Sequence, residues 1–431
     1  MKEFKKYYIK TYGCAMNYAD SNRIRHVLNN SGLREVFKSK DADLIVLNSC
    51  SVRKQAEDKI AGWGIDIDKT KKYILTGCMA VRYNRQDGEL DEKYTRKLKE
   101  KFSWIDYVVD IKEIGNIPSV LGIKEKEDVE EINYLNIPAK NENEVVVNVP
   151  ISTGCDFFCS YCIVPFSRGK LLHRKYEDII YEVKQNLFQG KKLVCLVAQN
   201  VNSWEGMRGG KKISFADLLE DVAKIDGDFW VTFISSNPMD FSDEIIKVIS
   251  EKRKVMRWIN IAVQSGSNKI LKGMNRRYTV EEFKELMNKI KKEIPDHRLT
   301  TDIIVGFPGE DEDDFQKTLS LIKEIEFQML YIGKYSPREY SVSAKFEDDV
   351  SLEEKKRREN VLKDELNKMR DNFHRKFVGK KIKVLVTGGR RGLSYYYHEV
   401  LFEKPLSEKK IGTFVEALVI DSTLSGLVAK V

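Results

Sequence analysis

Histidine is scarce in this chain, with five among 431 residues. No run of apolar residues approaches the length that spans a bilayer, so a transmembrane helix is not expected. The opening stretch MKEFKKYYIKTYGC has no apolar core of the kind a signal peptide carries, and the expected compartment is the cytoplasm. Neither sign of charge dominates: 74 basic against 66 acidic residues leave +8. That excess is mild; it suits a polyanionic partner, and equally simple solubility. Hydrophobic content of 42% and charged content of 32% describe a soluble globular protein. The length is too great for one ordinary core and implies two or three domains. Seven cysteines without an export signal point to metal or redox chemistry and away from disulfides.

The densest cysteine cluster lies in residues 151–169, ISTGCDFFCSYCIVPFSRG, just past an apolar β-branched run at 145–151. Cys155, Cys159 and Cys162 form a C-x3-C-x2-C spacing with an aromatic, Tyr161, before the third. Three thiolates do not complete a tetrahedral zinc site, and the loop contains no histidine. Thiolates are the preferred ligands of iron–sulfur clusters, and three of them leave one iron open to a substrate or cofactor. A zinc loop completed by a distant residue, or three reduced structural cysteines, are the alternatives.

Residues 4–122 hold three strand-like runs that each end in a cysteine: YYIKTYGC at Cys14, DLIVLNSC at Cys50 and YILTGCMA at Cys78. Helical patterns at 20–31 and 52–65 alternate with them, and a fourth strand is expected at 106–110. Alternation of this kind implies a parallel α/β sheet whose carboxyl ends open on one edge. The three cysteines would meet there as a second three-thiolate site, although each alone reads as a buried core thiol. Cys195, inside KKLVCLVA, reads as core. A charged segment, residues 123–144, with turn signals at Pro138 and at Asn141 and Asn143, reads as a linker crossing the surface.

Residues 145–376 contain six apolar runs, at 145–152, 193–198, 230–235, 258–263, 299–306 and 330–335. Amphipathic helices separate them, for example 214–225 and 279–294, the latter opening on a capping box of Thr279 and Glu282. Six β/α units fit a partial (β/α)6 barrel, whose chemistry collects at the carboxyl ends of the strands. AQNVNSW, SSNP, VQSGS and DIIVGFPGE sit at those ends. A long charged helix at 351–376 then leads into 377–431, where short strands suggest a small β-barrel. From residue 378 onward nine Lys/Arg face five Asp/Glu, a net +4. GGRRGLSYYY sets Arg390 and Arg391 beside three tyrosines, a pairing suited to phosphate contact and base stacking; the alternative is a solvated hairpin with Tyr396 in the core.

The cysteine loop resembles the signature of the radical S-adenosylmethionine (SAM) enzymes. That resemblance implies a 4Fe–4S cluster on Cys155, Cys159 and Cys162 whose open iron chelates SAM, and reductive cleavage of SAM to a 5′-deoxyadenosyl radical. It also implies that Gln199, Asn200, Gln264, Ser265 and Asp302, at the strand ends, contact SAM, with GFPGE approaching the adenine. TYGCAMNYADS, NSCSVRKQAEDKIAGW and TGCMA resemble the amino-terminal domain of the methylthiotransferases, which implies an auxiliary 4Fe–4S cluster on Cys14, Cys50 and Cys78. The tail is similar to the TRAM domain, an RNA-binding appendage. TYGC-x-MN, CSVR and CIVPFSRG resemble the MiaB type within that family. This implies action on the anticodon loop of tRNA, with methylthiolation at C2 of N6-isopentenyladenosine at position 37. It further implies a low-potential electron donor such as flavodoxin or ferredoxin, and a monomer. Ala15 stands where Gln is common, Asn237 where His is common, and GKLLHR replaces GRE-x-SR. A sibling enzyme acting on threonylcarbamoyladenosine or on a ribosomal protein, and an iron–sulfur RNA-binding protein without turnover, are the other readings.

Overall fold

The computed structural model describes residues 4–52, 54–84, 87–123, 133–141 and 144–431. The first sheet is wholly parallel. Its strand Lys6–Tyr12 lies between Arg34–Glu35 and Leu44–Ser49, followed outward by Lys72–Thr76 and Tyr107–Val108. Leu44–Ser49 is buried along its whole length, as a strand paired on both sides and covered on both faces must be. The first helix runs Ala15–Asn30 and begins five residues before the expected start at Asp20. The difference arises at Cys14, whose backbone N–H donates to Asn17 Oδ1 at 3.2 Å. That bond supplies half of a capping box and starts the helix directly behind the cysteine. The next helix is Lys54–Trp63, inside the expected 52–65.

The central region holds two three-stranded parallel sheets, Val146–Pro150, Leu193–Val197 and Trp230–Phe233, then Trp258–Asn260, Arg298–Val305 and Met329–Lys334. Isolated parallel bridges from Val231 to Val255 and from Ser236 to Ile261 join them. Six strands therefore follow one another in chain order, and among the described residues no ladder closes the first onto the last. This is the partial barrel. Helices such as Phe215–Lys224 and Val280–Glu293 pack outside it, each opened by a capping box. At the end of the chain, strands Lys381–Gly388, Arg391–Ser394, Glu399–Phe402, Phe414–Ser422 and Gly426–Lys430 form a closed barrel.

Part of the segment expected to cross the surface does otherwise. Residues 124–132 and 142–143 lie outside the described residues. Tyr134, Leu135 and Ile137, however, are buried in a core shared by the first helix, Ile111, Ile114 and Val197 of the central barrel. Cys195 is buried in the same core. The polarity of the neighbouring sequence hid this anchor, because three apolar residues in a charged stretch make no periodic pattern. Beside it, Arg23 donates to Leu135 O at 2.9 Å and to Glu182 Oε2 at 2.8 Å, and Arg174 pairs with the same Glu182 oxygen.

Glu182 thus holds two buried arginines from different regions on one carboxylate oxygen. Removing one partner of a buried ion pair strands the other charges without water. Glu182→Ala is expected to cost about 3–5 kcal/mol of folding stability. Denaturant unfolding measures it; a cost below about 1 kcal/mol would place the pair in the class of surface bridges.

Tyrosines 395–397 are the second departure. Tyr397 stacks on Trp258 with ring centres 4.0 Å apart and planes at 15°. Trp230 sits between Tyr395 at 5.6 Å and Phe414 at 4.5 Å. Arg298 of the central barrel donates to the carbonyls of Tyr396 and Tyr397, at 3.2 and 2.7 Å. These rings dock the small barrel onto the central one. An aromatic run has the same sequence signature whether it meets a base or another tryptophan.

Candidate active site

Each of the two cysteine sets is built on tight turns. At Gly77 φ is +86°, and an added Cβ would stand 2.3 Å from Asn48 Oδ1 and 2.7 Å from Ser49 O. At Gly154 φ is +78°, and a Cβ would stand 2.1 Å from Lys170 O. Only glycine allows both the conformation and the close approach, so the chain turns sharply just before Cys78 and Cys155.

The first set lies where the sheet's strands end. Cys50 and Cys78 are buried and Cys14 reaches solvent. Behind them Asn17, Asn48 and Ser21 form a buried hydrogen-bonded group: Asn48 Nδ2 donates to Asn17 O at 2.8 Å and to Ser21 Oγ at 2.9 Å. The Cys50 thiol faces Cys78 closely enough to hydrogen-bond to it; that contact and burial push the Cys50 pKa up. The Cys78 thiol is pulled down, first by Cys50 and then by Arg168. Arg168 Nε donates to Cys78 Sγ at 3.0 Å.

The second set lies on the loop after Ser152–Thr153, all three cysteines half-buried. Burial pushes the Cys155 thiol up to about 11, and the Cys162 thiol is raised by burial and then by Cys159. Arg276 Nη1 donates to Cys159 Sγ at 3.4 Å, its Nη2 to Ala262 O at 2.7 Å. Backbone N–H groups reach sulfur in both sets, Val52 to Cys50 at 3.3 Å and Val164 to Cys162 at 3.4 Å.

Among the described residues, no three His, Cys, Asp or Glu side chains close on one point as a single metal ion requires. A cluster places each thiolate on a different iron, so its ligands stand wider apart than those of one ion. Three cysteines facing one another, soft donors without histidine, and N–H groups aimed at sulfur form a donor set that fits a 4Fe–4S cluster at each site.

The residues expected at SAM occupy the strand ends, with different surroundings. Gln199 Oε1 accepts from the N–H of Gly154 at 2.7 Å, tying the second strand to the cysteine loop. Asn200 Nδ2 donates to Asp240 at 2.7 Å, while its buried Oδ1 has no hydrogen-bond partner among the described residues. Gln264 has φ +71°, and its backbone pairs with Asp302 and Ile304. Asp302 accepts from Asn260 Nδ2 at 3.2 Å. Ser265 is fully buried; its hydroxyl lies 3.3 Å from Thr318 Oγ1 on the outer helix Glu312–Ile325 and accepts from Ser267 N. It braces the turn. In GFPGE the space a Cβ would take at Gly306 is filled by the Lys355 stem, and buried Glu310 is paired with Arg358 at 2.7 Å. Helix Leu352–Arg375 therefore closes that side of the turn.

Between the first domain and the second cysteine loop lies a cavity of about 310 Å³. Tyr83, Asn84 and Lys112 line one side, Cys155, Phe158 and Leu171 the other. The Lys112 ammonium stands 4.1 Å over the Tyr83 ring, and burial lowers its pKa.

Arg390 and Arg391 are exposed on the small barrel, far in sequence from either cysteine set. Arg390 donates to the carbonyls of Phe402 and Glu403, at 3.3 and 3.0 Å. Arg168, Arg276 and Lys112 were absent from the expected site. Arg168 stands six residues after Cys162, in SRG, where its proximity was a usable signal. Arg276 follows the loop by more than a hundred residues, and only folding brings it there.

The six-stranded partial barrel with its three-cysteine loop defines a radical SAM domain, and residues 149–322 match the Radical SAM superfamily. Residues 6–108 match the family described as Uncharacterized protein family UPF0004. The chain is 38% identical over 403 residues to the tRNA-2-methylthio-N(6)-dimethylallyladenosine synthase of Clostridium botulinum (strain Loch Maree / Type A3), covering 89% of this chain and 86% of that protein. It is also 38% identical over 401 residues to the protein of the same name in Carboxydothermus hydrogenoformans, covering 88% and 89%. The chain belongs to the family of the tRNA-2-methylthio-N(6)-dimethylallyladenosine synthases. The cobalamin-dependent SAM radical enzyme OxsB shares its fold, with a TM-score of 0.50 and 12% identity, over 86% of this chain and 56% of that one.

Proposed function

We propose that this protein adds a methylthio group to C2 of N6-isopentenyladenosine (N6-dimethylallyladenosine) at position 37 of tRNA. One observation carries the reading: two three-cysteine sets, each with an arginine on a sulfur, are joined across one domain interface by Arg168. The relationship to synthases of that name covers most of the chain, and the two family matches, 6–108 and 149–322, contain the two sets. When bound, the two 4Fe–4S clusters and SAM supply the radical, the methyl group and an iron on which sulfur is presented.

C2 of an adenine has no acidic proton and no leaving group, so acid–base side chains have little to act on. The chain's own residues hold, orient and exclude water. Gln199 keeps the cysteine loop in place through Gly154. Asn200 Oδ1, Gln264 and Asp302 are offered to the polar groups of SAM, and Ser265 acts through the turn it braces. Tyr83, Phe158 and Leu171 give the cavity aromatic and aliphatic walls for an unstacked base, which a single-stranded anticodon loop can deliver. We place the protein in the cytoplasm as a monomer, reduced by a flavodoxin or ferredoxin. Among the described residues, no helix is long and apolar enough to cross a membrane. Mass spectrometry of tRNA nucleosides from a strain lacking the gene tests the reading: the 2-methylthio nucleoside should vanish and its unmethylthiolated precursor accumulate. Loss of a methylthiolated threonylcarbamoyl nucleoside in its place would reassign the substrate.

The small barrel is assigned to tRNA binding on its +4 charge and the exposed Arg390 and Arg391. Phosphate contacts release counterions, so affinity that depends on them falls steeply with salt. Arg390→Ala with Arg391→Ala is expected to weaken tRNA binding and flatten the salt slope by about one unit per lost contact. SAM cleavage without tRNA should not change. A slope and dissociation constant both equal to the parent's would return the pair to a solvated hairpin.

A further inference from the structure

Arg168 has an unusual position for a residue of the radical SAM loop. It follows Cys155, Cys159 and Cys162 on the same segment, just after the short helix Val164–Ser167. Its guanidinium leaves that domain and is spent on the other cysteine set. Nε donates to Cys78 Sγ at 3.0 Å, one Nη to the Tyr134 hydroxyl at 3.2 Å and the other to Asp20 Oδ2. Tyr134 in turn donates to Thr153 Oγ1 at 3.1 Å, two residues before Cys155. The Arg168 side chain is 1% exposed and that of Asp20 0%. The second Asp20 oxygen is buried and has no hydrogen-bond partner among the described residues. Burial of this depth leaves the charges unscreened by solvent, so they act at close to full strength on neighbouring sulfur.

We propose that Arg168 is a positioning residue for the auxiliary site: from the loop of one cysteine triad it fixes the Cys78 sulfur of the other and raises the reduction potential of the cluster held there. The proposal rests on the reading of Cys14, Cys50 and Cys78 as ligands of a 4Fe–4S cluster. Hydrogen bonds to sulfur and net local charge are among the factors that set such potentials. An added electron is stabilised by the guanidinium and opposed by the Asp20 carboxylate. The two side chains form one ion pair, yet their effects on the potential have opposite signs. A scaffold role for the pair would not produce that. The arrangement also makes the electrostatics of the auxiliary site depend on the order of the loop that holds the other triad.

The test uses the full chain carrying Cys155→Ala, Cys159→Ala and Cys162→Ala, so that one cluster remains, reconstituted anaerobically. Its midpoint for one-electron reduction by dithionite is read by electron paramagnetic resonance, with iron per chain measured on each sample. In this background Arg168→Met is expected to lower the midpoint and Asp20→Asn to raise it. Arg168→Lys, which keeps the charge and loses the Nε contact, should fall between Arg168→Met and the parent. If Arg168→Met does not retain iron, the other two substitutions decide. A midpoint unmoved in Arg168→Met, or Asp20→Asn moving in the direction of Arg168→Met or not at all, with about four irons retained, overturns the proposal alone. A background chain that binds no iron overturns the ligand reading and the proposal with it.

Discussion

Protein in which Cys155, Cys159 and Cys162 are all changed to Ala is expected to hold half the iron of the parent and to release no 5′-deoxyadenosine from SAM. The parent should reconstitute to about eight iron atoms, two clusters of four. The three thiolates come from one turn whose shape depends on Gly154 and on the Gln199 carbonyl beneath it, so no other cysteine is placed to replace them. Cys195 is buried in the shared hydrophobic core and its thiol is raised to about 12 by burial alone. The first set should keep its own iron because its ligands stand on the parallel sheet. Iron analysis and chromatography of the nucleoside product check both halves of the expectation. Stoichiometric zinc in anaerobically purified parent protein would contradict it, as would cleavage of SAM by the variant.

Replacing Cys14, Cys50 and Cys78 with Ala is expected to have the complementary effect: SAM is still cleaved, and methylthiolated tRNA is no longer formed. On the proposed reading, radical formation needs the loop triad alone, while sulfur delivery needs the sheet triad. Some loss of stability should accompany the change. Cys50 and Cys78 are buried, and Arg168 loses its sulfur partner. It keeps Asp20 and Tyr134, so the folded chain should persist. Product formation and tRNA-free cleavage measured on the same sample separate the two functions. Undiminished methylthiolated tRNA would remove the sheet triad from the chemistry.

The pattern of residues carried far in this chain where a local rule governs. Thr279 and Glu282 form the capping box their spacing implies, because a capping box is complete within four residues. The six barrel strands lie within a residue or a few of their apolar runs, since β-branched alternation with amphipathic helices is a short-range signal. The first helix starts five residues ahead of its expected position because its start depends on Asn17 turning back to Cys14. The anchor at Tyr134, Leu135 and Ile137 is buried where a surface linker is expected, because its partners include Arg23 and the first helix, more than a hundred residues away.

By itself the sequence determined which donors this protein has and which chemistry they favour: six cysteines in two sets, no histidine in the cysteine loop, and a sheet and a partial barrel that bring strand ends together. Those are properties of residue type and spacing, which survive in one dimension. Only the tertiary structure decided how the two sets are joined and what surrounds them. Arg168 belongs in sequence to one triad and in space to the other, and Arg276 reaches Cys159 from a distant turn. Tyr397 stacks one face on Trp258 of the central barrel. A long polar or aromatic side chain is compatible with many partners, and desolvation on folding selects among them. That selection depends on what the rest of the chain places within a few ångströms, which no local spacing records.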